Sequence, residues 1–269
     1  MEELRRRRIP LILCTSKTRS EVQVLRRALG NDDPFVVENG GLIVIPRGYF
    51  PVTKSLPLAG SCILVLGHPY RETVQALRTV ARRAGVDVRG FHQMSAEEIA
   101  QATGLTLKEA RLARKRESGE PFVFQKVSAP QIRTFSQLAH SLGYSLQRGG
   151  RFWHISSGCD KGLAISTLIA FYRACWGVRL RTVGLGDSGN DLPMLQVVDH
   201  AILMPKSNGS FDREVAKALP TIRRASEPGP AGWAHAVLAA LRDRPATKRS
   251  PKSRKVLSKA TDGALQYGT

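Results

Sequence analysis

The chain has 269 residues, of which 42% are apolar and spread along most of the length, and its formal net charge is +19. This apolar content predicts a packed core and argues against disorder, and no apolar run approaches the roughly 18–20 residues of a membrane span, so we predict a soluble protein with no membrane partner. The basic residues are dispersed and aromatic residues make up only 6% of the chain, so few side chains could stack on bases and we expect no specific nucleic-acid partner.

The first 45 residues predict a strand, a helix and a hairpin. A short apolar run at residues 9–14 ends at the polar cluster that begins with Thr15. A helix follows, with apolar residues at helical spacing and Gly30 as its stop. Two further apolar runs, at 34–37 and 42–45, flank the turn-forming segment Glu38-Asn39-Gly40-Gly41, which predicts a hairpin.

The middle of the chain predicts a smaller α+β unit. Its predicted strands lie at 62–66, 122–124 and 152–155. Its predicted helices include one at 71–84 that ends at Gly85, two that begin after Ser95 and Thr106, and one at 131–142. We place this inserted unit at residues 60–151.

The last part of the chain alternates strands and helices in longer units. A helix over 161–176 leads to a strand at 181–185, and a short helix, a second apolar segment and a final helix at 232–241 follow. Alternation of this kind predicts a Rossmann-like parallel sheet with helices on both faces. The fold class is therefore α/β, with a discontinuous core at 1–59 and 152–242, the inserted α+β cap, and a basic tail at 243–269 that we expect to be disordered.

The four cysteines lie far apart beside apolar neighbours, and no Cys-x-x-Cys or Cys/His cluster is present. This pattern argues against a zinc site and against a disulfide framework at this chain length. It favours reduced thiols in a cytoplasmic protein.

The segment Gly186-Asp187-Ser188-Gly189-Asn190-Asp191 follows the predicted strand at 181–185 directly. Carboxylate and amide oxygens at the carboxyl end of a parallel strand are the ligands that a small hard cation such as Mg²⁺ requires. The loop therefore predicts a cation site, and a cation bound in this way commonly serves phosphate chemistry.

Three separated motifs together resemble a known superfamily. They are a strand ending in Thr15-Ser16-Lys17, the helix start Cys159-Asp160-Lys161-Gly162, and the loop at 186–191. In order and spacing they resemble motifs II, III and IV of the haloacid-dehalogenase-like phosphatases, with a cap inserted between II and III. Segments at 10–19, 33–41, 120–123, 149–152 and 186–195 resemble most closely the mannosyl-3-phosphoglycerate phosphatases within that superfamily, and the resemblance covers about residues 2–240.

The resemblance implies a Mg²⁺-dependent phosphatase that acts on a small phosphorylated sugar and releases mannosylglycerate and phosphate. Asp187, Asn190 and Asp191 would bind or orient the metal. Lys161 would offset the negative charge of the phosphoryl group and of the nucleophile.

The resemblance also assigns phosphate-binding roles beside the first strand. Thr15 would offer a hydroxyl and a backbone N–H to the phosphoryl oxygens, and Ser16 and Lys17 would add donors at the following helix start. A substrate with a carboxylate favours arginines in the cap, because guanidinium pairs bidentately with carboxylates. The candidates are Arg148, Arg151, Arg114 and Arg116. We interpret His154, which alternates with Phe152 along a strand, as a packed histidine.

One expected motif is not in this sequence. The resemblance implies an opening strand that ends in Asp-x-Asp-Gly-Thr, whose first Asp attacks phosphorus and whose second acts as general acid and base. No Asp-x-Asp occurs here, and the first aspartate is Asp32. We therefore expect roughly 20–25 residues of the fold, about one βα unit, to be missing, including the central strand.

Two interpretations of this gap stay open. In the first, which we favour, the start of the sequence is misplaced or truncated and the whole protein is an active phosphatase. In the second, the chain is the real gene product and is catalytically inactive. Two alternative functions also stay open. The enzyme could act on another sugar phosphate, or the protein could be a basic binding protein built on the same scaffold.

Overall fold

The computed structural model describes residues 1–50, 62–149, 151–177 and 179–243. The predicted basic tail therefore lies outside the described residues from 244 onward. Among the described helices, none combines the length and the apolarity needed to cross a bilayer.

Ten α-helices are present in the described ranges: α1 (Glu2–Arg6), α2 (Arg19–Leu29), α3 (Tyr70–Ala84), α4 (Ala96–Thr103), α5 (Leu107–Ala113), α6 (Ala129–Ser141), α7 (Lys161–Trp176), α8 (Leu192–Val197), α9 (Arg213–Ala218) and α10 (Gly229–Arg242). The same ranges contain eleven strands: β1 (Leu13–Cys14), β2 (Phe35–Val37), β3 (Leu42–Ile45), β4 (Cys62–Val65), β5 (Val88–Gly90), β6 (Glu120–Phe124), β7 (Tyr144–Arg148), β8 (Trp153–Ser157), β9 (Val183–Gly186), β10 (His200–Leu203) and β11 (Arg223–Arg224). The α/β class predicted from the sequence is confirmed.

Local signals place the helix ends where the sequence predicts them. Helix α2 begins at a capping box, in which the Thr18 hydroxyl accepts from the Glu21 N–H and the Glu21 carboxylate accepts from the Thr18 N–H. The helix ends at Gly30, whose positive φ of 55° a residue with a side chain adopts less readily. Ser95 and Thr106 form the same kind of box at the starts of α4 and α5.

The described part of the core contains two separate sheets. The first has the order β1-β2-β3-β4, in which β1 and β2 are parallel and the other neighbours are antiparallel. The second, with the order β11-β10-β9, is wholly parallel. The predicted hairpin is confirmed as β2–β3, and the predicted strand at 9–14 is limited to β1.

An apolar cleft of about 530 Å³ lies between β1 and β9. It is lined by residues preceding and within β1, by residues 180–185, and by side chains of α7 and α10. Within the described ranges, β1 pairs only with β2 and β9 only with β10, so each strand presents one unpaired backbone edge. The two core sheets thus border an apolar cleft between β1 and β9, which we call the interstrand cleft.

The cap is a four-stranded antiparallel sheet with the order β5-β6-β8-β7. Helices α3 and α6 cover one of its faces through an apolar cluster that includes Leu77, Phe122, Phe135 and Ile155. Helices α4 and α5 carry a second, smaller cluster around Ile99.

Sheet membership differs from the predicted boundaries of the inserted cap at 60 and 151. Strand β4 pairs with β3 in the first core sheet, although it lies within 60–151. Strand β8 pairs with β6 and β7 in the cap, although we assigned residues from 152 onward to the core. An apolar run alone does not say which sheet a strand joins, since its partners lie far away in sequence.

Candidate active site

The loop after β9 is organised around the Asp191 carboxylate. One of its oxygens accepts from the Lys161 ammonium at 2.6 Å. The other accepts from the backbone N–H groups of Asp187 and Ser188 at 3.0 and 3.1 Å. A side chain on Gly186 would collide with Asp191, so glycine is required at this turn. Both Asp191 oxygens are therefore used to hold the loop and the lysine in place.

Lys161 is the first residue of α7 and is almost completely buried. Asp160 caps the helix by accepting from the Leu163 N–H at 2.8 Å. Burying a charge is costly unless it is paired, so the contact with Asp191 is what permits an ammonium here.

The end of β1 lies close to this pair. Burial raises the pKa of the Cys14 thiol to about 12, and the charges of Lys161, Asp191 and Asp160 act on the same thiol. The next residue along the chain is Thr15. The structure therefore brings three of the sequence motifs together at one end of the core.

The Thr15 backbone N–H and hydroxyl have different partners. The Thr15 backbone N–H donates to the Val36 carbonyl at 3.1 Å, because the pairing of β1 with β2 continues to this residue. This N–H is therefore engaged within the sheet, and its role as a phosphate donor stays a prediction. The Thr15 hydroxyl accepts from the Lys17 N–H at 3.2 Å and keeps its own proton for another acceptor.

Lys17 and Ser16 face different surroundings. The exposed Lys17 ammonium pairs with Glu21 at 3.0 Å. The Ser16 carbonyl accepts from the Arg116 guanidinium at 3.2 Å, which joins the core to the cap.

The turn between β2 and β3 contributes two residues, Asn39 and Glu38, to which the sequence alone assigned no role. Asn39 accepts from the Asn190 side-chain amide at 3.1 Å and its N–H donates to the Thr15 carbonyl at 3.0 Å. Asn39 thus links two of the motifs. Gly40, at φ +99°, packs so closely on the Asp160 carbonyl that a side chain there would clash. The segment Glu38-Asn39-Gly40-Gly41 was the available signal, since it predicts a turn and lies in the stretch 33–41 that carries the family resemblance.

Glu38 is the second of these residues and fastens the cap to the core. Its fully buried carboxylate accepts three backbone N–H groups, from Glu117, Ser118 and Gly119, at 2.8–2.9 Å. The buried Arg116 guanidinium lies 3.6 Å away. Glu38 holds a positive φ of 52°, which is uncommon for a residue with a side chain and is maintained here by these contacts.

Replacing Glu38 by Gln is expected to lower the free energy of unfolding by about 3 kcal/mol, since the charge facing Arg116 disappears and the new amide meets backbone donors. Urea unfolding measures the change. Glu227→Gln is the matched control, because Glu227 pairs with His235 in an exposed position and its replacement should cost less than about 0.5 kcal/mol. Equal losses for the two variants would contradict the role of Glu38.

Of the arginines predicted to bind substrate, Arg148 and Arg151 lie exposed on the cap, whereas Arg116 is buried beside Glu38. The Arg148 guanidinium lies over the Trp153 ring, 5.6 Å from its centroid. The Arg151 guanidinium donates to the Ala102 carbonyl at 3.0 Å. Their proposed contact with substrate stays a prediction.

Comparison with known proteins identifies the family. No protein-family model matches the chain. The glucosyl-3-phosphoglycerate/mannosyl-3-phosphoglycerate phosphatase of Persephonella marina is 36% identical over 235 residues, which cover 87% of this chain and 85% of that protein. The enzyme of the same name from Methanococcoides burtonii is 35% identical over 240 residues, covering 88% and 87%. The chain belongs to this phosphatase family.

The fold of this phosphatase agrees with the haloacid-dehalogenase superfamily. A haloacid dehalogenase-like hydrolase from Bacteroides thetaiotaomicron superposes with a TM-score of 0.55 at 17% identity, over 88% of this chain and 89% of that one. The resemblance to the mannosyl-3-phosphoglycerate phosphatases is confirmed by the two relatives, and the fold is that of haloacid dehalogenase-like hydrolases.

The oxygen donors of the loop at 186–191 provide part of the ligand set that a hard cation needs. The Asp187 carboxylate is exposed, and the Ser188 hydroxyl 3.3 Å away has a nearer acceptor in Asn190, so Asp187 keeps its oxygens for a ligand. The Asn190 amide oxygen accepts from the Ser188 hydroxyl at 2.6 Å, and both Asp191 oxygens are engaged. In the described residues no group of three or more His, Cys, Asp or Glu side chains is placed to hold a metal. The oxygen donors have the right chemistry, but a further carboxylate is needed to complete the set.

Proposed function

We propose that this protein serves the Mg²⁺-dependent hydrolysis of mannosyl-3-phosphoglycerate to mannosylglycerate and phosphate. The observation that carries the proposal is the buried pair of Lys161 and Asp191 beside the exposed Asp187, at the carboxyl end of β9. A lysine held in this way offers a fixed positive charge to a transferring phosphoryl group. The names of the two relatives support a phosphoglycerate ester as the substrate.

Each predicted site residue of the core then has a defined task, and Arg148 and Arg151 on the cap would bind the substrate carboxylate. Lys161 would face the phosphoryl oxygens, and the Thr15 hydroxyl would donate to one of them, with Ser16 and Lys17 at the same helix start. Asp187 would hold the Mg²⁺, while Asn190 and Asp191 would keep the loop in the binding conformation. Bound Mg²⁺ supplies the charge that polarises the phosphoryl oxygens.

The nucleophile belongs to the same proposal. No Asp-x-Asp occurs in the chain, and the interstrand cleft lies between the two strands whose ends carry Thr15 and Asp187. We place the nucleophilic carboxylate on a strand seated in that cleft. The 269 residues by themselves should then release phosphate at no measurable rate. A cytoplasmic location stays a prediction that rests on the four scattered cysteines.

A second candidate substrate has support from the same names. Both relatives are called phosphatases of the glucosyl as well as the mannosyl ester. Rates of phosphate release from the two esters, measured beside free 3-phosphoglycerate and a simple hexose phosphate, would separate a family-specific enzyme from a general sugar phosphatase.

Asp187→Asn is expected to weaken Mg²⁺ binding at least about tenfold, because the loop loses the carboxylate with available oxygens. Calorimetric titration of the purified chain with MgCl₂ measures the affinity without any need for turnover. Asp243→Asn is the control, since Asp243 is a carboxylate paired with Arg223 and should leave the affinity unchanged. Wild-type affinity in Asp187→Asn would refute the metal assignment.

A further inference from the structure

The turn between β2 and β3 holds two consecutive residues in the left-handed region. Glu38 and Asn39 are almost completely buried, and their φ angles are 52° and 57°. A residue with a side chain pays about 1–2 kcal/mol for this conformation unless its surroundings hold it there. Strain of this kind clusters at functional sites, so a role beyond chain reversal is expected for this turn.

The contacts of Asn39 lead to the loop at 186–191. Its backbone N–H donates to the Thr15 carbonyl at 3.0 Å, which fixes the residue beside the end of β1. Its side-chain oxygen accepts from the side-chain nitrogen of Asn190 at 3.1 Å. Asn39 therefore reaches the loop from a part of the chain about 150 positions away in sequence.

The contact with Asn39 decides which way the Asn190 amide faces. The nitrogen of a side-chain amide only donates and its oxygen only accepts, so the two ends are not interchangeable. The Asn190 nitrogen donates to Asn39, and its oxygen consequently faces the Ser188 hydroxyl, from which it accepts at 2.6 Å.

The Ser188 hydroxyl has one proton and several acceptors within reach. It lies 2.6 Å from the Asn190 oxygen, 3.1 Å from an Asp191 oxygen and 3.3 Å from an Asp187 oxygen. If the Asn190 amide were turned around, its nitrogen would face the hydroxyl, and the proton would go to a carboxylate. The Asp191 oxygen already accepts two backbone N–H groups, so Asp187 would become the acceptor.

We propose that Asn39 is a positioning residue that directs the Ser188 proton away from Asp187 and so keeps this carboxylate free for its cation. The inference rests on the proposed function and deepens it, because it names a residue outside the loop that determines the loop's hydrogen-bond pattern. Asn39 acts through Asn190 and needs no contact with the cation.

Titration of the purified chain with MgCl₂ by calorimetry tests the proposal without turnover. Asn39→Gly removes the side-chain oxygen but keeps easy access to a positive φ. It is expected to weaken Mg²⁺ binding about three- to tenfold, the effect of one hydrogen bond. Asn39→Asp should bind Mg²⁺ at least as tightly as wild type, because a carboxylate only accepts and holds the Asn190 amide in the same orientation.

A buried asparagine elsewhere in the core is the control. Asn31 donates to the Leu11 carbonyl at 2.9 Å and accepts from Arg26 at 3.1 Å, before the start of β1 and away from the loop. Asn31→Gly should lower the melting temperature and leave the Mg²⁺ affinity unchanged. The melting temperature of Asn39→Gly should stay within about 4 °C of wild type, since relief of backbone strain offsets part of the lost hydrogen bond.

A double-mutant cycle with Ser188→Ala tests the route through the hydroxyl. Without this hydroxyl no proton can be redirected onto Asp187, so adding Asn39→Gly to Ser188→Ala should not weaken Mg²⁺ binding further. Equal weakening by Asn39→Gly with and without the Ser188 hydroxyl would overturn the proposed route.

The outcomes distinguish this inference from the proposed function. Wild-type affinity in Asn39→Gly, or an affinity in Asn39→Asp as weak as that of Asn39→Gly, would overturn the role of Asn39 alone. A wild-type chain that binds no Mg²⁺ would overturn the proposed function and the role of Asn39 with it.

Discussion

Phosphate release from mannosyl-3-phosphoglycerate is expected to rise at least about a thousandfold when the chain is extended ahead of Met1 by an apolar strand ending in Asp-x-Asp-Gly-Thr. The strand would lie in the interstrand cleft and bond to the open edges of β1 and β9. Its carboxyl end would then emerge beside Thr15 and Lys161, where the new carboxylates would supply the nucleophile and complete the oxygen donors around Asp187.

The same extension is expected to stabilise the protein. It replaces an apolar cleft of about 530 Å³ by packed side chains and pairs two exposed strand edges. A net gain of about 2 kcal/mol, after the cost of ordering the segment, would raise the melting temperature by about 4–8 °C.

A matched extension separates the two effects. With the first Asp of the added motif changed to Asn, the strand should still raise the melting temperature but release no phosphate. An extension that leaves the melting temperature unchanged would show that the cleft does not accept a strand. One that stabilises the chain in both forms but restores no activity would refute the proposed phosphatase site.

Elements whose signals are local could be predicted from the sequence. The capping boxes at Thr18, Ser95 and Thr106 and the stop at Gly30 involve residues within one helical turn, so the sequence alone locates these helix ends. The loop at 186–191 could also be predicted, because an apolar strand followed by Asp and Asn needs no distant partner to be recognised.

Features that depend on distant contacts could not be predicted in this way. The positive φ angles of Glu38 and Asn39 are held by residues 117–119 and by Asn190, roughly 80 and 150 positions away in sequence. Likewise, the separation of the core into two sheets depends on strand pairing. Strand β7 was not among the predicted strands, although its signal is local. Apolar Tyr144 and Leu146 alternate with polar Ser145 and Gln147, and this period of two is typical of a strand.

Replacing Lys161 by Met is expected to lower the free energy of unfolding by about 3–5 kcal/mol. The substitution nearly preserves volume but leaves the Asp191 carboxylate buried without its cation, and the side chains of this pair are only 6% and 8% exposed. The cost is therefore that of an uncompensated buried charge, and it should exceed the modest net value of the ion pair itself. Urea unfolding monitored by circular dichroism measures it.

Two further variants test this account of the pair. Lys206→Met breaks the ion pair between Lys206 and Asp212. The Lys206 side chain is 41% exposed, so the loss should be less than about 1 kcal/mol. The double variant Lys161→Met/Asp191→Asn should be less destabilised than the sum of its single changes, because no lone charge stays buried. Additive losses would show that Lys161 and Asp191 stabilise the fold independently. Coupled losses would support the view that Asp191 keeps this lysine charged and in place for the phosphoryl group.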